Sequence, residues 1–355
     1  MNKLTLAVAG GRKTQGVVDA CSAAEPGRRI LVLTYTQANQ RELKTRLAVH
    51  PGLAADVRVQ GWFGFLMSHW IRPYLPRQFS GRRLHGLNFD GDPGRYATGD
   101  ARYLDRDGCA YKLHLARLAV ITNEASGSAA LDRLCRMYDQ IFIDEVQDLN
   151  GYDLEVLDEL LQSQIALTMV GDVRQALVLT NPREPKNAPL KRIAVKRWFD
   201  AQAAAGHLQI EHSATTWRSN QTIADFADSI FDSTWGFQLT TSMNDETTGH
   251  DGLFVVHPEH LAAYTERYQP MCLRHSANSA RAMRLPFINF GIAKGQSTNR
   301  VLIAPTAAIA SFLEAGEQLD DLAACSLYVA VTRARNSVAF VSERGQTLGL
   351  QVWTP

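Results

Sequence analysis

The stretch Ile141-Phe142-Ile143-Asp144-Glu145-Val146-Gln147-Asp148 decides how the rest of the chain is read. Three apolar residues in a row suit a strand buried on both faces, as in a parallel sheet. Such a strand delivers two carboxylates to its C-terminal end, the edge at which α/β proteins bind ligands. Asp144 is a candidate to hold Mg²⁺ through water, and Glu145 to orient and deprotonate an attacking water. An acidic strand end that caps the following helix would use the same residues with no cofactor.

A second apolar run, Leu4–Ala9, leads into Gly10-Gly11-Arg12-Lys13-Thr14-Gln15. Set against G-x-x-x-x-G-K-[ST] from Ala7, this loop keeps the Lys-Thr pair and two interior glycines, with Ala7 and Arg12 in place of the outer ones. Residues Ala9 to Gln15 are the candidate phosphate-binding set. Backbone N–H groups at a helix N-terminus cradle phosphate oxygens, Lys13 neutralises β/γ charge, and the Thr14 hydroxyl can hold Mg²⁺. A plain strand-to-helix turn would need only Gly10 and Gly11.

Further apolar runs at Ile30–Thr34, Ile165–Val170, Leu253–Val256, Val301–Ala304 and Val338–Val341 read as strands. Helical patterns lie between them. Gln37–Leu47 puts Leu43 and Leu47 on one face and Glu42 i,i+4 to Arg46, and Leu154, Leu157, Leu160 and Leu161 repeat at helical spacing. Alternating strands and helices imply α/β units. Residues 72–112 break the rhythm as an irregular insertion with one hairpin at Tyr103–Tyr111. Pro182, Pro185 and Pro189 mark a surface loop near a domain junction.

A chain of 355 residues implies two domains, or three. With 45% hydrophobic and 21% charged residues it builds ordinary cores, which excludes disordered, collagenous and low-complexity classes. No run approaches the roughly 18 apolar residues of a membrane span. Cys21, Cys109, Cys135, Cys272 and Cys325 are odd in number, far apart and without a C-x-x-C pair, which argues against disulfides and zinc and fits a reducing, cytoplasmic compartment. The N-terminal apolar run is short and leads into Arg12-Lys13, so it reads as a buried strand rather than a signal peptide. A net charge of +1 says nothing of partners. Arginine far outnumbers lysine, which codon bias explains as well as phosphate recognition does.

The motifs together resemble superfamily 1 helicases of the UvrD/Rep/PcrA type, in that family's order. Leu33-Thr34-Tyr35-Thr36-Gln37-Ala38-Asn39 is similar to motif Ia, and Val59-Gln60-Gly61-Trp62-Phe63 to the next single-strand contact motif. Asp144–Asp148 matches motif II, and Val170-Gly171-Asp172-Val173-Arg174-Gln175 motif III. Trp217-Arg218-Ser219 resembles motif IV, Ala293-Lys294-Gly295 the core of motif V, and Tyr328–Arg335 motif VI. The resemblance runs from Leu4 to about Val341 and implies two RecA-like P-loop domains, 1–205 and 206–355, with parallel sheets flanked by helices and an ATP cleft between them. An irregular insertion spans about 67–138.

It implies ATP and Mg²⁺ as cofactors, and single-stranded or partly duplex DNA as partner, with RNA left open. Glu145, Gln175, Arg218 and Arg333 would be catalytic. Gln175 would sense the γ-phosphate, and the arginines would supply charge to it on domain closure. Gly295 would join the nucleotide set. Trp217, standing where the family has a tyrosine stacked on adenine, would hold the base, with a core tryptophan the alternative. Surface salt bridges are the alternative for each arginine. Tyr35, Thr36, Gln60, Trp62 and Phe63 would contact nucleic acid, with core packing equally open for the three aromatics.

Four departures qualify the carry-over. No glutamine precedes the phosphate loop to read adenine, and Arg12 stands where glycine is usual. Motif III runs into Ala176-Leu177-Val178 without an aromatic, and motif V lacks its Glu. The insertion expected between Ser219 and Gly291 is essentially absent, and the one after Leu66 is stunted. The resemblance therefore implies a near-minimal 3′-to-5′ motor, for which ATPase and translocase activity are safer expectations than processive unwinding, with a protein partner as a possible source of accessory functions. A nucleotide-gated nucleic-acid switch with little turnover is the alternative. A P-loop kinase would leave Trp-Arg-Ser and Thr-Arg-Ala-Arg unexplained.

Overall fold

The computed structural model describes residues 1–50, 52–343 and 350–355. The chain forms two compact units. The first holds residues 1–6, 13–171 and 179–211; the second holds 7–12, 172–178 and 212–355.

In the first unit the strands are β1 (Lys3–Ala7), β2 (Arg29–Thr34), β3 (Asp56–Gly61), the short pair β4 (Gly86–Asn88) and β5 (Cys109–Tyr111), then β6 (Gln140–Asp144), β7 (Ala166–Gly171) and β8 (Gln209–Ser213). Six of them form one sheet in the order β3-β2-β6-β7-β1-β8. The central pairings are parallel, with Ile30 opposite Gln140, Asp144 opposite Val170 and Leu6 opposite Gly171. Ile30, Leu31, Val32 and Leu33 are wholly buried, as the unbroken apolar run requires of a strand covered on both faces. Burying each such side chain is worth about 1.5–3 kcal/mol.

Lys13–Ser22 is helical and packs Val17, Val18 and Cys21 against Ile30, Val32, Phe142 and Val170. The helix Gln37–Ala48 adds Leu43 and Leu47 to that core, and Glu42 pairs with Arg46 on its outer face. Tyr152–Leu161 buries the expected leucines Leu154, Leu157, Leu160 and Leu161.

The stretch 67–138 is irregular only in part. Tyr103 and Tyr111 close the expected hairpin through a Tyr111 N–H to Tyr103 carbonyl bond of 2.9 Å and an antiparallel bridge between Leu104 and Ala110. Beyond it, Leu115–Ala125 and Ala129–Met137 are helices, which corrects the reading of an irregular insertion through 138. Leu115, Leu118, Leu134 and Ala130 are buried there, and no turn residue punctuates either helix.

In the second unit β9 (Thr215–Thr216) pairs with β10 (Thr241–Ser242). The main sheet uses β11 (Gly252–Val256), β12 (Met271–Arg274), β13 (Ile288–Asn289), β14 (Thr298–Ile303), β15 (Ala334–Val341) and β16 (Gln351–Val352), in the order β13-β12-β14-β15-β11-β16 and parallel throughout. One face is covered by Gln221–Ser229 and Asp321–Val331, whose Ile223, Phe226, Leu327 and Val331 pack on Val301, Val338 and Phe340. Cys272, Leu302, Ala339, Tyr264 and Trp353 fill the other face. Two parallel α/β sheets flanked by helices are the expected fold class.

Candidate nucleotide site and nucleic-acid contacts

In the first unit the end of β6 and the start of the Lys13 helix meet. Thr14 Oγ1 donates to Asp144 Oδ2 at 2.9 Å, and the Glu145 backbone N–H donates to Asp144 Oδ1 at 3.0 Å. Glu145 adopts φ 61°, a left-handed conformation that costs a non-glycine residue roughly 1–2 kcal/mol and turns the chain sharply after the strand. Gln147 Nε2 donates to the Glu145 carboxylate, fixing its direction.

Asp144 is 1% exposed. Burial pushes its pKa up to about 7, with the neighbouring Glu145 charge adding to the shift and Thr14 and Lys13 opposing it. A buried carboxylate beside a second one, with a hydroxyl already in contact, is a hard-oxygen donor set that gains from a cation. No group of three or more His, Cys, Asp or Glu side chains able to cage a metal exists among the described residues. A hydroxyl and one or two carboxylates, completed by substrate phosphates, are the kind of oxygen set that would suit Mg²⁺. Gln15 donates to Asp19 at 2.7 Å and accepts from Arg46 at 3.2 Å, so its side chain serves its own helix and the next.

The loop 7–12 lies within the second unit, against β9. Thr216 Oγ1 donates to the Ala9 carbonyl at 2.7 Å, the Trp217 N–H to the Gly10 carbonyl at 3.1 Å, and the Val8 N–H to the Ser213 carbonyl at 3.1 Å. A Cβ on Gly10, at φ +75°, would stand 2.6 Å from both Arg218 Cβ and Thr216 Oγ1. Glycine is therefore required there for close backbone approach. The Ala9 N–H donates to the Tyr328 hydroxyl at 3.2 Å, and the Gly11 N–H to the Val8 carbonyl at 3.0 Å. Two amides expected to cradle phosphate thus bond within the chain, and phosphate would have to draw them away.

From Tyr328 a chain of bonds continues. Its hydroxyl donates to Asp172 Oδ2 at 3.1 Å, Gln175 Nε2 donates to the same oxygen at 2.9 Å, and Arg333 Nη2 donates to Gln175 Oε1 at 3.2 Å. Burial holds the Tyr328 proton on far above the ordinary phenol range, so the hydroxyl stays a donor. Arg333 is 1% exposed and also donates to the Val329 and Gln296 carbonyls, which excludes a surface salt bridge. Arg218 Nη1 donates to the Thr332 carbonyl at 3.0 Å, one residue from Arg333. The two arginines, far apart in sequence, converge on one turn. Gly295, at φ +86°, is exposed, and no atom lies within 4 Å of where its Cβ would be.

Trp217 is 42% exposed, not a core residue, and the Arg12 guanidinium lies 3.7 Å from its ring centroid. Arg12 itself holds φ 57°, so the substitution for glycine is accommodated in the left-handed region.

The nucleic-acid candidates divide. Trp62 is 1% exposed and its indole N–H donates to Asp153 Oδ1 at 2.6 Å, so it has no face for a base, which corrects that expectation. It follows β3 directly and packs inward on Phe65. Phe63, the next residue, points the other way: its ring lies edge-on to Tyr35 at 5.6 Å and to Phe89 at 6.4 Å, with Lys112 Nζ 5.6 Å from its centroid. Phe89 is 59% exposed. Thr36 caps its helix, accepting from the Asn39 N–H at 3.2 Å. Gln60 donates to Ser68 at 2.9 Å and lies 3.3 Å from His69 Nε2.

Sequence reasoning gave no role to Tyr328, Asp172, Phe89 or Lys112. The first two lie inside quoted motifs but carry no spacing signal for their mutual bond. Phe89 and Lys112 sit in or beside the irregular stretch, where no pattern marks them.

Parallel sheets with a lysine-bearing loop after one strand and an acidic pair after another define the P-loop class of α/β proteins. Residues 95–177 match the family described as UvrD/REP helicase N-terminal domain. Among solved structures, the chain is similar to arterivirus nonstructural protein 10, a helicase, at 14% identity and a TM-score of 0.49, covering 97% of this chain and 60% of that one. The same helicase in complex with DNA aligns at 13% identity and a TM-score of 0.50, covering 97% and 61%. This chain thus spans about three fifths of the length of the helicase structures it matches. No curated protein matches the sequence. The family match bears out the resemblance to helicases of the UvrD type along residues 95–177, and the solved structures share the fold.

Proposed function

We propose that the protein is an ATP-dependent DNA helicase or translocase, a Mg²⁺-requiring ATPase stimulated by single-stranded DNA and moving 3′ to 5′. The observation that carries this is the 2.9 Å contact between Thr14 and Asp144, with Glu145 oriented beside it. Mg²⁺ held by Thr14 and Asp144 would neutralise charge on the β- and γ-phosphates. Lys13 binds the same phosphates, Glu145 takes the proton of the attacking water, and Trp217 stacks on the base. Arg218 and Arg333 supply positive charge to the transferring group, and Gln175, bonded to Arg333, reports its loss. Phe63, Tyr35 and Phe89 offer aromatic faces to unpaired bases, with Lys112 near the backbone phosphates.

The test is ATP hydrolysis with and without single-stranded DNA or RNA. Turnover should rise with nucleic acid and fall by about 10²–10⁴ in Glu145→Gln. Equal rates in wild type, Lys13→Ala and Glu145→Gln would refute the mechanism.

A second reading, a nucleotide-gated nucleic-acid clamp with little turnover, is favoured by the engaged amides of Ala9 and Gly11. Tight, ATP-dependent DNA binding with slow hydrolysis would select it. No helix among the described residues is long and apolar enough to cross a membrane. With all five cysteines unpaired, the cytoplasm is the proposed compartment. A protein partner supplying accessory functions is proposed on the short stretch after Leu66 and the near-absent insertion between Ser219 and Gly291.

A further inference from the structure

Arg12 and Trp217 form a stacked pair whose consequence for ligand choice goes beyond the proposed activity and rests on it. The guanidinium carbon stands 3.7 Å above the indole, the separation at which a planar base would stack. Arg12 and a base therefore compete for that face. Both side chains are exposed, so neither is locked by packing. The pair is held in register by the backbone, through the Trp217 N–H to Gly10 carbonyl bond and the left-handed turn at Arg12.

Arg12 also precedes Lys13 directly, at the start of the helix whose N-terminus attracts anions. A polyphosphate there gives the guanidinium a stronger partner than an aromatic face, because Arg–phosphate contacts are charge-assisted and often bidentate. We infer that Arg12 covers the base-stacking face of Trp217 and releases it only to ligands that carry a polyphosphate. The site then takes nucleoside triphosphates as a class, selecting by phosphate chain and hardly by base. Stacking on an aromatic face is tolerant of which base it holds.

Titration calorimetry on the full chain, with adenosine, ATP, GTP and inorganic triphosphate, tests this. Wild type should bind ATP and GTP within about threefold and adenosine far more weakly. Arg12→Met removes the charge and keeps an apolar stem. It should bind adenosine about two- to fivefold more tightly and ATP more weakly, so the ATP-to-adenosine preference falls by about tenfold or more.

Inorganic triphosphate alone should change the Trp217 emission, read as the difference between wild type and Trp217→Phe, and should leave it unchanged in Arg12→Met. Unchanged preference in Arg12→Met, or triphosphate bound without any change in Trp217 emission, would overturn the inference. So would weaker adenosine binding in Arg12→Met, which would mean that the guanidinium stacks on the base instead of competing with it. Failure of wild type to bind either ATP or triphosphate would instead sink the nucleotide-site reading beneath it.

Discussion

Arg333 donates from Nη2 to the side-chain carbonyl of Gln175 at 3.2 Å, across 158 residues of sequence. Gln175 in turn donates to Asp172, which also accepts from Tyr328, and the Tyr328 hydroxyl accepts from Ala9. The loop 7–12 and the arginine are thus joined through bonds between buried groups, where hydrogen bonds are electrostatically strong. Removing Arg333 should cost more than its local bonds. Arg333→Ala is expected to lower ATP turnover by about 10³–10⁵ while changing ATP affinity far less. Equal losses in affinity and turnover would show that it only binds.

Tyr328→Phe deletes one atom and strands two groups, the Ala9 N–H and one lone pair of Asp172. A buried unsatisfied donor costs about 1–3 kcal/mol. Denaturant unfolding should register a loss of that size, and hydrogen exchange at the Ala9 amide should speed up. Unaltered exchange would mean that the loop does not depend on the tyrosine.

Gly10→Ala places a methyl group where Arg218 Cβ and Thr216 Oγ1 already stand, on a backbone at φ +75°. The loop must separate from β9, so the variant should lose stability by about 1–3 kcal/mol and lose ATP binding with it. Calorimetry showing wild-type ATP affinity would contradict the close approach.

Trp62 and Phe63 are neighbours with opposite expected behaviour. Trp62→Phe removes the donor to the buried Asp153 and should destabilise the protein by about 1–3 kcal/mol with little change in DNA affinity. Phe63→Ala should leave stability nearer wild type and weaken single-strand binding by the worth of one stacked base, about 1–3 kcal/mol. Fluorescence anisotropy with an oligonucleotide separates the two.

Asp144 supplies a pH test. Burial and Glu145 hold its pKa above the unfolded value, up to about 7. Between the ordinary carboxylate range and that point the folded protein keeps a proton the unfolded chain has released. Stability from this group therefore falls as pH rises through that window and is level above it. Asp144→Asn should gain on wild type at pH 8 and match it near pH 4 in thermal melts without Mg²⁺. A constant difference at both pH values would reject the shift.

The strands and the two main helices of the first half were legible because buried parallel strands demand unbroken apolar runs and amphipathic helices demand a repeating apolar face. Ile30–Thr34, Ile141–Ile143 and Val338–Val341 all fall inside observed strands. β3 escaped because Asp56-Val57-Arg58 alternates polar and apolar residues, as an edge strand does. The helices 115–125 and 129–137 escaped because their neighbours in sequence are irregular.

The order of the motifs, the lysine and threonine after β1 and the acids after β6 were determined by sequence alone, since strand-end placement follows from apolar length. Which aromatic faces a base was not. Trp62 and Phe63 have the same local pattern, and only the direction of the chain leaving β3 sends one to Asp153 and the other to Tyr35. The same holds for Arg12 on Trp217 and Arg333 on Gln175. Contacts between residues distant along the chain depend on side-chain directions that packing sets, and no periodicity in the sequence encodes them.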